Sequence, residues 1–256
     1  MTVTDWHAVS GGESGAAVFR SADGSRYAKT VGPDGVADLA DERDRLSWAR
    51  SRGVPSPPVI DWGIDDDGGA FLITGALSGA TADRLPETVL RASWPAIVAA
   101  VAELHTIAVE VCSYHRDLDD MVARARATVA ADAVDREFLR DEDRDVPAAE
   151  LLARVEREVE QRRGQEAGDL VVCHGDLCLP NIVIDPDRFT VAGFVDLGRL
   201  GLADRHADLA LLSANTADTF PRFAEGAAAG LAAHYPAPID EDRLRFYLAL
   251  DPLTWV

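Results

Sequence analysis

The chain has 256 residues, which suits one large domain or two closely packed lobes. Its 47% hydrophobic content is enough to bury a substantial core and excludes a disordered chain. With 44 acids against 25 bases the formal charge is −19, and non-specific nucleic-acid binding is disfavoured because phosphate capture needs clustered Lys and Arg.

The first part of the chain reads as strands. "WHAVS", "AAVFRS" and "RYAKTV" are short β-like runs separated by the turn formers "GGESG" and "ADGS". "GVADLADERDRLSWARSRG" follows as a helix in which Val36, Leu39, Leu46 and Trp48 punctuate charged residues and Gly53 stops the run. "PPVIDWG" and "AFLITG" flank the turn "DDDGG" and predict two more strands. Residues 1–75 therefore read as a small, mostly antiparallel sheet with one helix.

After "ALSGATADRLP" the pattern becomes helical. "WPAIVAAVAELHTI" places Ile97, Val98, Val101 and Leu104 on one face, with Pro95 expected in the first turn, where a missing N–H costs little. Residues 116–134 and 147–163 are charged helical stretches, with "DEDRDVP" as a solvated loop between them. Three β-like runs follow, "DLVVCHGD", "NIVIDP" and "TVAGFVD", and then the helices "DRHADLALLSAN", "FPRFAEGAAAGLAAHY" and "DEDRLRFYLALDPLTW". The fold class is α+β with two lobes, a strand-rich one over residues 1–75 and a mostly helical one over 76–256.

No apolar run is long enough to span a bilayer. The start "MTVTDWHAVSGGESG" lacks a basic segment followed by an apolar core, so no signal peptide is expected. Cys112, Cys173 and Cys178 are odd in number and widely spaced, which gives no disulfide framework. A soluble, cytoplasmic monomer is the expectation. Zinc on Cys173, His174 and Cys178 is disfavoured, because no second Cys/His pair completes a tetrahedral site.

Four pieces carry chemistry. In "SGGESGAAVF" the glycines can let backbone N–H groups approach a phosphate, although an ordinary Gly hairpin reads the same way. Lys29, in "YAKT", is the only lysine of the chain. A compact ammonium suits bridging phosphate oxygens and pairing with a carboxylate; Glu42 on the next helix is the expected partner, or else one more solvated acid. In "HGDLCLPN", Asp176 at a strand end can meet a substrate hydroxyl, and Asn181 can return its amide oxygen to a metal. In "VDLGR", Asp196 ends another strand and suits Mg²⁺, which takes hard oxygen ligands; Gly198 is the residue expected to allow the sharp turn there. The order glycine loop, Lys, helix Glu, H-x-D-x-x-x-x-N, D-x-G matches the parts of a kinase.

On these residues the chain resembles the aminoglycoside O-phosphotransferases, which have a bilobal protein-kinase-like fold. "VVCHGDLCLPNIVIDP" and "GFVDLGRLGLADRHADLAL" resemble the family's catalytic block. "GGESGAAVFR", "ERDRLSWARSRGV", "FLRDEDRDVPAAELLARVERE" and "LRFYLALDPLTW" point toward the streptomycin 3''-phosphotransferase branch. The resemblance implies ATP-dependent phosphorylation of a sugar hydroxyl, with the 3''-OH of streptomycin as acceptor. It implies Asp176 as catalytic base, Asn181 and Asp196 on Mg²⁺, and Lys29 on the ATP phosphates, paired with Glu42. It implies adenine bonding by the backbone of Thr74 and Ala76, with Ser14 and Gly15 in the phosphate loop. Arg199 is a candidate for added positive charge near the nucleotide, or for a structural pair with an acid. A kinase for another aminoglycoside or a small cationic alcohol such as choline is the alternative, and a catalytically silent nucleotide-binding module is the other.

His-Gly-Asp stands where protein kinases have His-Arg-Asp, and no Ala-Pro-Glu follows Asp196. These departures imply constitutive action on a small molecule. An acidic chain fits a guanidinium-bearing acceptor, whose carboxylate partners are expected within residues 116–145 and the C-terminal helix. Asp208 is expected to brace the catalytic loop, His174 to orient it, and His105 to be a satisfied core residue.

Overall fold

A computed structural model describes residues 6–9 and 16–255. The chain divides into two compact units, Met1–Leu85 with Pro180–Arg199, and Pro86–Leu179 with Leu200–Val256.

The first unit holds a five-stranded antiparallel sheet in the order β1-β2-β3-β5-β4, built from β1 (Trp6–Val9), β2 (Ala17–Ser21), β3 (Arg26–Val31), β4 (Val59–Ile64) and β5 (Ala70–Gly75). Helix α1 (Val36–Ser51) follows β3. Its Leu39 packs with Ala70 and Leu72 of β5, and Val31, Val59 and Trp62 close over them. This apolar contact fixes the rotation of α1, so Glu42, three residues after Leu39, takes a defined direction. Gly53 ends the helical segment at φ +85°, the left-handed conformation that glycine adopts without a Cβ penalty. A second, three-stranded sheet joins β6 (Ala80–Thr81), β8 (Ile182–Asp185) and β9 (Thr190–Phe194). Its register shifts between Val183 and Ile184. There Gly193 has φ +153°, and a Cβ on it would lie 2.6 Å from the Pro55 carbonyl oxygen, so only glycine fits.

The second unit is mainly helical: α2 (Glu87–His105), α3 (Leu118–Ala130), α4 (Ala148–Glu156), α5 (Val159–Glu166), α6 (Arg205–Thr219), α7 (Ala224–His234) and α8 (Glu241–Leu250). A two-stranded sheet pairs β7 (Leu170–Cys173) with β10 (Gly201–Asp204). The core runs through Leu118, Met121, Val122 and Ala125 of α3, Ala207 and Ala210 of α6, and Phe246, Tyr247 and Leu250 of α8. The sheet and helix content is that of the α+β, kinase-like class expected from the sequence.

Three local expectations are corrected. Pro95 lies inside α2, because the helix begins at Glu87, eight residues earlier. An interior proline removes one backbone hydrogen bond, at a cost of roughly 3 kcal/mol; burial of Leu90, Trp94, Ile97, Val98 and Val101 along the same helix offsets it. The stretch 147–163 is two helices, broken by a turn at Arg157 and Glu158, so Val155 and Val159 both stay buried. The "DEDRDVP" loop is not wholly solvated: Asp143 is buried and accepts from Arg140 at 3.1 Å and Arg154 at 3.2 Å.

Candidate active site

In the first unit, strand β3 presents Lys29 toward α1. Its ammonium donates to Glu42 Oε2 at 2.8 Å and approaches Asp196 Oδ1 at 3.4 Å. Lys29 and Glu42 side chains are mostly buried, at 19% and 13% exposure, whereas Asp196 is 46% exposed. Burial alone would lower the Lys29 pKa; the charges of Glu42 and then Asp196 outweigh it, and the net direction is upward. Glu42 is pushed up by burial and by the Asp196 charge, against the pull of Lys29. One ammonium facing two carboxylates stays charged, and the trio keeps an excess of negative charge that a cation can answer.

Asp196 itself adopts φ +57°, a left-handed conformation that acidic and amide side chains tolerate better than most. The sharp turn thus falls on the aspartate and not on Gly198. A Cβ at Gly198 would meet Glu42 side-chain atoms at 3.5–3.9 Å, which is ordinary contact. Asn181 is buried, and its backbone carbonyl oxygen accepts the Val195 N–H at 3.0 Å, so the backbone ties it to the residue before Asp196. Arg199 ends the short 3-10 turn Leu197–Arg199. The donor set of Asn181 and Asp196, an amide oxygen and a carboxylate, is chemically suited to Mg²⁺.

Thr74 lies within β5, opposite Tyr27 on one side and Val59 on the other. The Ala76 N–H donates to the Ser25 carbonyl at 2.8 Å, so bonding adenine through that amide would require it to change partner. Ser14 and Gly15 lie outside the described residues.

In the second unit, β7 delivers His174, Gly175 and Asp176. Gly175 has φ +83°, which turns the chain sharply after the strand. The fully buried Asp208 on α6 accepts the His174 N–H at 2.7 Å and the Gly175 N–H at 2.9 Å, one on each carboxylate oxygen. His174 Nδ1 in turn accepts the Asp176 N–H at 3.2 Å. Burial would raise the Asp208 pKa, but the hydrogen bond and charge of His105, with the Gly175 amide, bring it below the ordinary value. His105 is bonded on both ring nitrogens, to Tyr235 Oη at 2.7 Å and to Asp208 at 3.2 Å. Tyr235 and Asn215, whose Oδ1 accepts the Leu179 N–H at 2.9 Å, were not singled out by sequence reasoning, because partners 36 to 130 residues away leave no local signal.

His105, Cys173 and Asp208 place ligand-type atoms within 4.8 Å of one another. His105 and Asp208 are already occupied as above, and the Cys173 thiol points to the Asp204 carbonyl at 3.5 Å. Burial pushes that thiol well above its ordinary pKa, which disfavours the thiolate a metal needs. The acids expected to hold a cationic acceptor are largely engaged: Asp119 with Arg163, Asp120 with Arg124, Asp143 with Arg140 and Arg154, Asp251 with Arg116.

Among the described residues no helix is long and apolar enough to cross a membrane. Residues 5–247 match the phosphotransferase enzyme family. The chain is 54% identical to the streptomycin 3''-kinase of Streptomyces griseus, covering 98% of this chain and 93% of that protein. It is 40% identical to an aminoglycoside 3'-phosphotransferase of Streptomyces fradiae, over 96% and 94%. The aminoglycoside phosphotransferase APH(3'')-Id of Streptomyces rimosus superposes with a TM-score of 0.93 at 52% identity, covering 98% of this chain and 93% of that one. The same protein in complex with ADP and streptomycin gives a TM-score of 0.91 at 50% identity, over the same 98% and 93%. A chain matched by the family over nearly its whole length, and by these relatives end to end, belongs to the phosphotransferase enzyme family.

Proposed function

We propose that this chain transfers the γ-phosphoryl group of ATP to the 3''-hydroxyl of streptomycin and so inactivates the drug. The observation that carries this reading is Lys29 held against Glu42 and Asp196, in a chain that matches an ADP- and streptomycin-bound structure over 98% of its length. Residues 1–75 serve as the nucleotide lobe and 76–256 as the helical lobe with the catalytic loop and acceptor site, the metal-binding segment 180–199 grouping with the first compact unit.

Phosphoryl transfer asks a protein mainly for positioning and charge neutralisation. Lys29 supplies a fixed positive charge for phosphate oxygens, and Glu42 fixes its direction. Asn181 and Asp196 would hold Mg²⁺, which when bound neutralises charge on the phosphate oxygens. Arg199 adds a guanidinium close behind Asp196 in sequence. The backbones of Thr74 and Ala76 recognise adenine, the Ala76 amide exchanging its Ser25 partner for the base, and Ser14 and Gly15 contribute amides to the phosphates. Asp176 accepts the acceptor's hydroxyl proton as the oxygen–phosphorus bond forms, and ADP leaves with the electrons of the broken bond. The acidic field draws a cationic aminoglycoside toward the protein.

The test is phosphate transfer from radiolabelled ATP to streptomycin and kanamycin, alongside growth of a susceptible bacterium expressing the chain on each drug. Transfer to streptomycin and growth on it alone is the expected result. Transfer to kanamycin in preference to streptomycin would reassign the acceptor, and no transfer to any aminoglycoside would overturn the proposal.

A further inference from the structure

The loop that carries Asp176 is fastened at both ends to one helix. At its start Asp208 takes the His174 and Gly175 amides. At its end the Leu179 N–H donates to Asn215 Oδ1 at 2.9 Å. Both acceptors sit on α6, seven residues apart, which is close to two helical turns and places them on the same face about 10 Å apart. The oxygen of the Asn215 amide must be the atom facing Leu179, because an N–H can be answered only by an acceptor. Between the two straps Leu177 and Leu179 are fully buried, while Asp176 is only partly so. The Cys178 N–H closes back on the Asp176 carbonyl at 3.0 Å. The buried leucines hold the loop down; the straps set where it begins and ends.

We propose that Asn215 is a positioning residue for phosphoryl transfer: its amide oxygen fixes the exit of the catalytic loop and thereby the aim of the Asp176 carboxylate. This rests on Asp176 being the group that receives the hydroxyl proton. Without the Asn215 oxygen the Leu179 amide loses its partner, and the exit of the loop loses its strap to α6. A displacement of about 1 Å at a reacting group can lower turnover by orders of magnitude. Nucleotide and acceptor affinity depend on other residues and should change little.

The experiment compares the full chain with Asn215→Ala and Asn215→Asp. Alanine favours the helix and is not expected to unfold it; aspartate keeps an acceptor oxygen on a side chain of the same length. Steady-state kinetics with ATP and streptomycin are measured beside amide hydrogen exchange of peptides covering residues 171–180. Asn215→Ala should lower kcat about tenfold, the effect of one modest hydrogen bond, with KM for both substrates within about twofold. Exchange across the loop should quicken, and Asn215→Asp should restore both readouts. Wild-type kcat and exchange in Asn215→Ala would overturn the inference, as would an Asn215→Asp as impaired as the alanine variant. If the wild-type chain transfers no phosphate to streptomycin, the acceptor assignment fails separately and the exchange arm decides: quickened exchange in Asn215→Ala supports the strap and unchanged exchange overturns it.

Discussion

Gly175 donates its amide to Asp208 Oδ1 at 2.9 Å across 33 residues of sequence, while the other oxygen of the same carboxylate holds His174. One buried acid thus aims two consecutive amides of the loop that carries Asp176, and it must remain an acceptor on both sides. Asp208→Asn would turn an NH₂ group toward a backbone N–H. The expected outcome is a loss of about 1–3 kcal/mol of stability, together with at least a tenfold fall in kcat. Thermal unfolding and steady-state kinetics check both; an unchanged kcat in the Asp208→Asn variant would show that the loop needs no such anchor.

Asp176 is a partly exposed residue of that loop and the proposed base. Asp176→Ala should reduce kcat about 10²–10⁴-fold while leaving ATP affinity nearly unchanged. Turnover measured beside nucleotide titration separates the two quantities. Near-normal turnover with streptomycin would mean that Asp176 neither orients nor deprotonates the hydroxyl.

Lys29 is the only lysine in the chain, so amine chemistry is confined to it and the terminal amino group. An amine-acylating reagent should abolish activity as one lysine is modified, and nucleotide should slow the reaction. The Lys29–Glu42 contact of 2.8 Å will make the amine sluggish, since the pair keeps it protonated. Peptide mapping after partial inactivation tests this: full activity in a protein acylated at Lys29 would remove it from the phosphate site.

Asp196 combines a left-handed backbone with a carboxylate that is nearly half exposed beside Lys29. Asp196→Ala should abolish Mg²⁺-dependent nucleotide binding by calorimetry. Unchanged Mg·ATP affinity would place the metal elsewhere.

The sequence exposes the chemistry better than the mechanics. Lys29, Glu42 and Asp196 are readable because each belongs to a short motif within a strand, after one, or on a charged helix. Their mutual distances are not, since 167 residues separate Lys29 from Asp196 and only folding brings them to 3.4 Å. "WPAIV" imitates a helix start and so misplaces Pro95, whereas the apolar spacing already begins at Leu90. Strand β6 has only two residues, and β10, Gly-Leu-Ala-Asp, carries no β-branched or aromatic residue to mark it. Asn215 and Tyr235 look like ordinary helix-face and chain-turn residues until their distant partners are known.

Glu166 gives a prediction in pH. Its carboxylate is buried at 8% exposure and accepts the Leu118 N–H at the start of α3 at 2.8 Å. Burial pushes its pKa up to about 7; the Leu118 amide opposes this, and the charges of Asp117, Asp204 and Asp119 add to it. The folded chain therefore holds a proton that the unfolded chain, with a value near 4.5, has released. More protons bound in the folded state means that stability falls as pH rises from about 4.5 to about 7, and the loss is complete above that range. Glu166→Gln keeps an oxygen for Leu118 and removes the charge. It should be more stable than wild type at pH 8, by at most about 3 kcal/mol, and nearly equal to it at pH 4.5. Thermal unfolding across this range decides the matter: a stability difference that does not change with pH would show that Glu166 is ionised throughout and already compensated in the fold.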